Sequence, residues 1–472
     1  MCDAHATYYL DYLAQQTARL KGTEQLPSLK AIESEFDNIR AAWHYAIREH
    51  ANDSIGRAIE AMYLVCLLRS RLEDGKALFR EVRVGLAPAG GQEPHPVWLA
   101  AGVRFYDATS SRTVLQERLE ESLELARARG DDKEEAYCLG TLATLAHYVD
   151  QDPPRAITYY EACAKIYRRL DEPYYLAQTL SKLGEAHQLI GQTELTYQYV
   201  NEAFDLQRRT GDHIGESESL RALAMTCWQT GNYDAMADYA AKMYDIQLQT
   251  GYLVGQATSE VYSGLVAITN GRLEEGVDHV QVALDLAINI ADFSTQSWCY
   301  AILGFEAGIR GDLEAAGRHL DSAESIDPDP FRQTGAGNPF LHLHINLVRF
   351  LVVAGEGDFV SAGKHLLQPL HLAATTDSQP YMAITLALAT LIYDFYGRAE
   401  KAAELMGLVT QQSEVTTGWL TYYAPYAGLR VSLERQLGPN RFAASTQRGL
   451  AMELSSATEE VMHDIEAKDT AN

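Results

Sequence analysis

Four glycines stand at a constant interval: Gly191, Gly231, Gly271 and Gly311 are each 40 residues apart. Their flanks keep the same beat. Leu206, Ile246, Leu286 and Ile326 form one apolar series, and Ala203, Met243, Ala283 and Ala323 form a second. Cys163 and Ile166 extend both one unit back, and Asp205, Asp245 and Asp285 sit just before the first series. A period of this length restricts the chain to a repeat architecture. Each unit is one supersecondary motif that cannot bury its apolar face alone, so neighbours must stack to build a continuous core.

Within a unit the pattern is helical. From Tyr175 to Asp212, Leu176, Leu180, Leu183, Ala186 and Leu189-Ile190 recur at the three-to-four spacing of an amphipathic helix. Gly191-Gln192-Thr193 breaks it, glycine suiting the left-handed residue that ends a helix. A second helix follows through Tyr197, Val200, Ala203, Phe204 and Leu206 and ends at Thr210-Gly211-Asp212, as the next unit ends at Thr250-Gly251-Tyr252. Two helices of about 16 residues and two short turns make up the repeat.

Outward, the spacing drifts. Turns are predicted near Arg71, Ser110-Ser111 and Gln151-Asp152-Pro153, and again at Gly357-Asp358, Gly397-Arg398 and Gly438-Pro439. The step from Gly311 to Gly357 is 46 residues, which places an insertion in the turn-rich stretch 326–338. Leu86 to Pro96 reads as another loop. No alternating β-branched run competes. The expected architecture is all-α: one solenoid over residues 1–472, with about nine or ten helical hairpins. Residues 1–50 open it, 51–325 and 339–435 carry repeats, and 436–472 close it.

Composition limits function. Hydrophobic residues at 47% and charged residues at 22% suit a folded soluble chain. The net charge of −25 repels nucleic acid and anionic lipid, so neither is an expected partner. No apolar run approaches the roughly 20 residues that span a bilayer. The first residues do not form a signal peptide. The six cysteines are scattered without a CxxC pair, as in a cytoplasmic protein with reduced thiols.

The units resemble tetratricopeptide repeats: Leu183, Gly184, His187, Gly191 and Ala203 occupy that family's signature positions, and Gly264 and Gly304 repeat the packing glycine. The forty-residue form is similar to the variant in bacterial signal-transduction ATPases of the STAND class, including MalT-like regulators. Glu33–Ile47 (ESEFDNIRAAWHYAI) resembles the segment that opens their helical array, matching at Glu35, Asp37, Asn38, Ile39, Arg40, Ala41, Ala42 and Ala46. The segment His5–Leu10 resembles its first helix, and Leu437–Phe442 through Gly449–Met452 its closing hairpin. The resemblance implies a right-handed α-solenoid superhelix serving as a sensor region. The ATPase module of that class has no counterpart here. Gly357–His365 only approximates a phosphate-binding loop: its spacing is one residue too long, and His365 stands where a Ser or Thr would hold Mg²⁺.

No reaction centre emerges, and neither a cofactor nor a metal is expected. His342 and His344 lie two apart on a predicted helix, about 200° around its axis from one another, which is poor for shared metal ligation. No HExxH or GxSxG occurs. Carboxylate runs such as 117–121 and 131–135 read as solvated helix faces.

The candidate site is a surface. In tetratricopeptide arrays the first helix of each hairpin lines the concave groove. Counting 13, 10, 6 and 3 residues back from each turn glycine gives Gln178, Ser181, Glu185 and Gln188, then Glu218, Arg221, Met225 and Trp228. The next two units give Thr258, Val261, Leu265 and Ile268, then Trp298, Ala301, Phe305 and Gly308. Tyr148 takes the corresponding place one unit earlier. The candidate binding set is Tyr148, Glu185, Gln188, Glu218, Arg221, Met225, Trp228, Trp298 and Phe305. Either these residues form an aromatic, Arg-bearing wall of the kind that anchors partners, or superhelical curvature buries them. Two functions fit: a non-catalytic module that senses a protein or small-molecule signal in the groove, or a scaffold that assembles with copies of itself.

Overall fold

A computed structural model describes residues 2–69, 71–88, 93–104, 112–250, 253–326, 339–412 and 417–469. The expected turns at Ser110-Ser111 and Gly251-Tyr252, and the insertion from 327 to 338, lie outside the described residues. The protein is all-α, and among the described residues no strand occurs. The regular hairpins are Pro173–Gln188 with Thr193–Thr210, His213–Gln229 with Tyr233–Thr250, Leu253–Thr269 with Leu273–Asn289, and Phe293–Arg310 with Leu313–Ser325. Pro339–Gly355 with Phe359–Thr375 and Gln379–Phe395 with Ala399–Thr410 follow. The phosphate-loop lookalike thus lies at the start of a repeat helix, where Asp358 accepts the Ser361 N–H at 3.0 Å as a cap.

The repeat's turn chemistry is the reason for its regularity. Gly191, Gly231, Gly271 and Gly311 have φ between 70° and 81°, a left-handed conformation that costs glycine least. Inside the hairpins, glycine permits close helix crossing. A Cβ on Gly264 would lie 2.9 Å from the Gly276 carbonyl oxygen.

The contacts divide the chain into two compact units. The first comprises 1–186, 196–219 and 248–252; the second comprises 187–195, 220–247 and 253–472.

In the first unit, Phe36, Ile39, Ala42, Trp43, Ala46 and Ile47 of the opening helix Phe36–Arg48 are buried. The Trp43 indole donates to the Leu78 carbonyl at 3.3 Å. The segment after helix Thr17–Leu20 returns onto much later hairpins. Buried Gln25 donates to the Leu20 carbonyl and to Asp212, both at 3.0 Å. Thr23 lies against Gly211, where no side chain fits.

In the second unit, helix Gln379–Phe395 is apolar on every side and buried from Pro380 to Tyr393. A helix apolar all round requires partners all round. They are supplied by earlier repeats: Tyr381 packs edge-on against Trp228 and His344. Gly418–Thr421 forms a 3₁₀ turn, which sets Trp419 against Phe305. Gly271 and Gly418 meet so closely that a Cβ on Gly271 would lie 2.9 Å from the Gly418 carbonyl oxygen. Helix Ala424–Leu437 precedes the closing segment 436–472, which carries the helices Pro439–Gly449 and Leu454–Asp469.

Candidate functional site

The expected groove divides by burial. Gln188, Met225, Trp228, Trp298 and Phe305 are buried, with Trp228 and Phe305 each 1% exposed. Ser181, Val261, Leu265, Ile268 and Ala301 are buried too, as is Gly308. The expectation that this wall faces an open groove is corrected. In the second unit the faces carrying Trp228, Trp298 and Phe305 are covered by the chain's own later elements. Trp228 meets Tyr381 at a ring separation of 6.1 Å, Trp298 meets His344 at 6.2 Å, and Phe305 meets Trp419 at 5.5 Å. Gln188 is withdrawn as well, donating to the buried Thr226 hydroxyl at 3.2 Å. Apolar side chains at this density are stabilised by burial, and the later elements provide it. Arg221 stays half-buried.

The first unit keeps a polar, accessible stripe. Helix Asp132–Thr144 continues into a π-helical turn, Leu145–Val149. Such a turn shifts the register of the side chains it carries and is common at functional sites. It presents half-buried Tyr148, whose hydroxyl donates to the Glu185 carboxylate at 2.7 Å. Buried His147 stacks on Tyr148, with ring centroids 4.1 Å apart and planes 9° from parallel. Burial pushes the His147 pKa down to about 4, so the ring is neutral at pH 7.

On helix Pro173–Gln188 the solvent-facing positions in this unit are Gln178, Lys182 and Glu185. The sequence reading missed Lys182, having placed Ser181 on this face. The available signal was a lone cation between Leu180 and Leu183. Lys182 is exposed yet hemmed in by protein, which depresses its ammonium pKa, while the Glu185 and Glu218 carboxylates act in the opposite sense. Glu218 is half-buried.

Beside this stripe lies an ion-pair cluster. The Glu60 carboxylate accepts from Lys21 and Lys133, each at 2.7 Å, and from the Tyr175 hydroxyl at 2.8 Å. Lys21 also reaches Glu172 at 3.3 Å. Burial opposes ionisation of Glu60, but the two ammonium groups prevail and hold its pKa at about 2 against an ordinary 4.5. This depressed carboxylate supplies stability that is complete above the unfolded pKa of 4.5 and is lost as pH falls towards 2. Urea titrations between pH 6 and 2 are expected to show that loss, about 3 kcal/mol for Glu60 alone, and Glu60→Gln is expected to flatten it.

Among the described residues no cluster of three or more His, Cys, Asp or Glu side chains is arranged to hold a metal. No described helix is long and apolar enough to cross a membrane. His342 is exposed while His344 is buried against Trp298 and Tyr381, so the two point apart. Cys66, Cys138, Cys163, Cys227 and Cys299 are buried thiols.

The tetratricopeptide repeat family matches residues 175–249. No curated protein matches the chain. Among solved structures, the chain is similar to a Rap protein complexed with competence and sporulation factor, at 12% identity and a TM-score of 0.53, covering 82% of this chain and 99% of that one. It also aligns with the Rap conjugation gene regulator of plasmid pLS20 in complex with the Phr* peptide, at 13% identity and a TM-score of 0.45, covering 80% and 95%. The fold of the chain is an all-α helical array of tetratricopeptide type.

Proposed function

We propose that this repeat protein is a non-catalytic interaction module that recognises an extended peptide or protein segment on the Tyr148–Glu185 stripe of its first unit. The observation that carries the reading is the contrast in accessibility. Lys182 is exposed and Gln178, Glu185, Tyr148 and Glu218 are half-exposed, whereas the aromatic wall is core. Pre-stacked helices lose little ordering entropy on binding. The stripe offers a phenol, an ammonium and two carboxylates, groups that pair with peptide amides and charged side chains. The Rap protein of similar fold was solved holding a factor, which agrees with this use of the architecture. The similarity of Glu33–Ile47 to the start of STAND-class sensor arrays supports a finer reading: a cytoplasmic sensor whose bound state organises an attached effector.

Selection from a displayed random-peptide library, followed by anisotropy titration, tests the proposal. Tyr148→Phe combined with Glu185→Gln is expected to weaken a selected peptide at least tenfold, with melting nearly unchanged because both sites are half-exposed. Equal affinity for both proteins would remove the stripe from the binding face. A self-assembling scaffold is the second reading, favoured by exposed Val282 and Ile288 on one helix. A scattering mass that stays monomeric across a hundredfold concentration range would dismiss it.

A further inference from the structure

Outside that stripe, the first unit contains a cleft of about 310 Å³ between helices Asn52–Leu68, Pro96–Arg104 and Arg112–Arg129 and the start of Asp132–Thr144. This volume is at the lower end of small-molecule sites. Its apolar lining comes from Ile59, Val97, Leu99, Ala100 and Ala126, all buried. Its charged lining is unusual for this chain. Among the lining residues Arg57, Arg104, Arg129 and Lys133 stand beside Glu60, Asp131 and Glu134, in a protein of net charge −25, with Asp11 and Glu93 reaching Arg57 and Arg129 from outside the lining.

The four cations are not equivalent. Arg104 is held by both Glu134 oxygens, at 3.1 and 2.9 Å, and lies over the Tyr137 ring at 4.4 Å. Lys133 is held by Glu60 at 2.7 Å. These two belong to the framework. Arg57 pairs with Asp11 at 2.9 Å where both side chains are about half exposed, and Arg129 meets the highly exposed Glu93 at 3.6 Å. Exposed pairs of this kind contribute little and exchange readily. Guanidinium groups match carboxylates in planar, two-point fashion.

We infer that this cleft binds a small organic carboxylate, its apolar body against Ile59, Val97 and Ala126 and its carboxylate drawn to Arg57 and Arg129. The inference does not depend on the peptide-binding stripe.

Calorimetry on the full chain tests it with three probes that share one apolar body: 4-phenylbutyrate, 4-phenylbutanol and 4-phenylbutylamine. The carboxylate is expected to bind at roughly millimolar concentration and at least tenfold more tightly than the alcohol, with the amine weakest. Added salt is expected to narrow the gap. Arg57→Gln with Arg129→Gln is expected to bring carboxylate affinity down to that of the alcohol. Leu125→Trp, at a half-exposed lining position, is expected to abolish binding of all three without lowering the melting temperature. Equal binding of the three probes would overturn the inference, as would no binding by any of them, or carboxylate binding unaffected by the double substitution.

Discussion

Replacing Trp228 by Ala is expected to lower the stability of the folded chain by about 3–5 kcal/mol, the range for deleting a large aromatic side chain from a core. The indole is 1% exposed and sits edge-on between Tyr233, at 5.7 Å, and Tyr381, at 6.1 Å. Tyr381 lies in the buried course of helix Gln379–Phe395 and also packs on His344. A cavity at Trp228 therefore removes contacts from two repeats at once, and neither can collapse into it without moving that helix. Urea unfolding followed by circular dichroism reads the effect as a lower midpoint. A change within about 0.5 kcal/mol, the size expected of a surface substitution, would mean that Trp228 lines an open groove.

Gly449→Ala is expected to cost about 3 kcal/mol or more, although it adds a single methyl group. Helices Ala399–Thr410 and Pro439–Gly449 approach each other through glycine on both sides. A Cβ on Gly449 would fall on the Glu404 carbonyl, with the carbonyl carbon at 2.7 Å, and one on Gly407 would fall on the Thr446 carbonyl. The opposing atoms are backbone, so no side chain can swing aside and the helices must separate. Separation would also loosen the pair between Arg448 and Glu404, now 2.7 Å apart. Gly311→Ala is the informative comparison. Gly311 has φ of 81° with no atom near its would-be Cβ, so only the left-handed backbone is penalised, by about 1 kcal/mol. Equal melting temperatures for the two variants would show that the closing helices are not in backbone contact.

The repeat was legible in the sequence because the same physics recurs in each unit. A glycine must end the first helix with positive φ, and small residues must sit where paired helices cross. Both demands leave marks at fixed intervals, at Gly191 through Gly311 and at Gly184, Gly264 and Gly304. What covers the inner faces was harder to read, since it depends on contacts between residues far apart in the chain. Gln25 and Asp212 are 187 positions apart. The apolar stripe at Met225, Trp228, Trp298 and Phe305 reads equally well as a partner's anchor or as a seat for the chain's own segment. One clue to the second reading was present. The run Gln379–Phe395 has no polar face, so it needs cover on every side.

The Tyr148–Glu185 pairing was half legible. Counting back from the turn glycine placed both residues on the first-helix face. The same count missed Lys182, because the exposed line on that helix runs 178, 182, 185 and not through Ser181 and Gln188. The π-helical turn at Leu145–Val149 also escaped the pattern. It adds a residue to one turn and so shifts the register, which a fixed three-to-four count does not follow.

The most direct measurement is hydrogen exchange of the full chain with and without a selected peptide at saturation. New protection is expected on residues 141–149 and 178–186, the elements that carry Tyr148, Lys182 and Glu185, with no change at 222–229 or 298–309. Protection confined to 222–229 and 298–309, or exchange there that accelerates as peptide binds, would contradict this. It would mean that the aromatic wall opens to form the true binding surface.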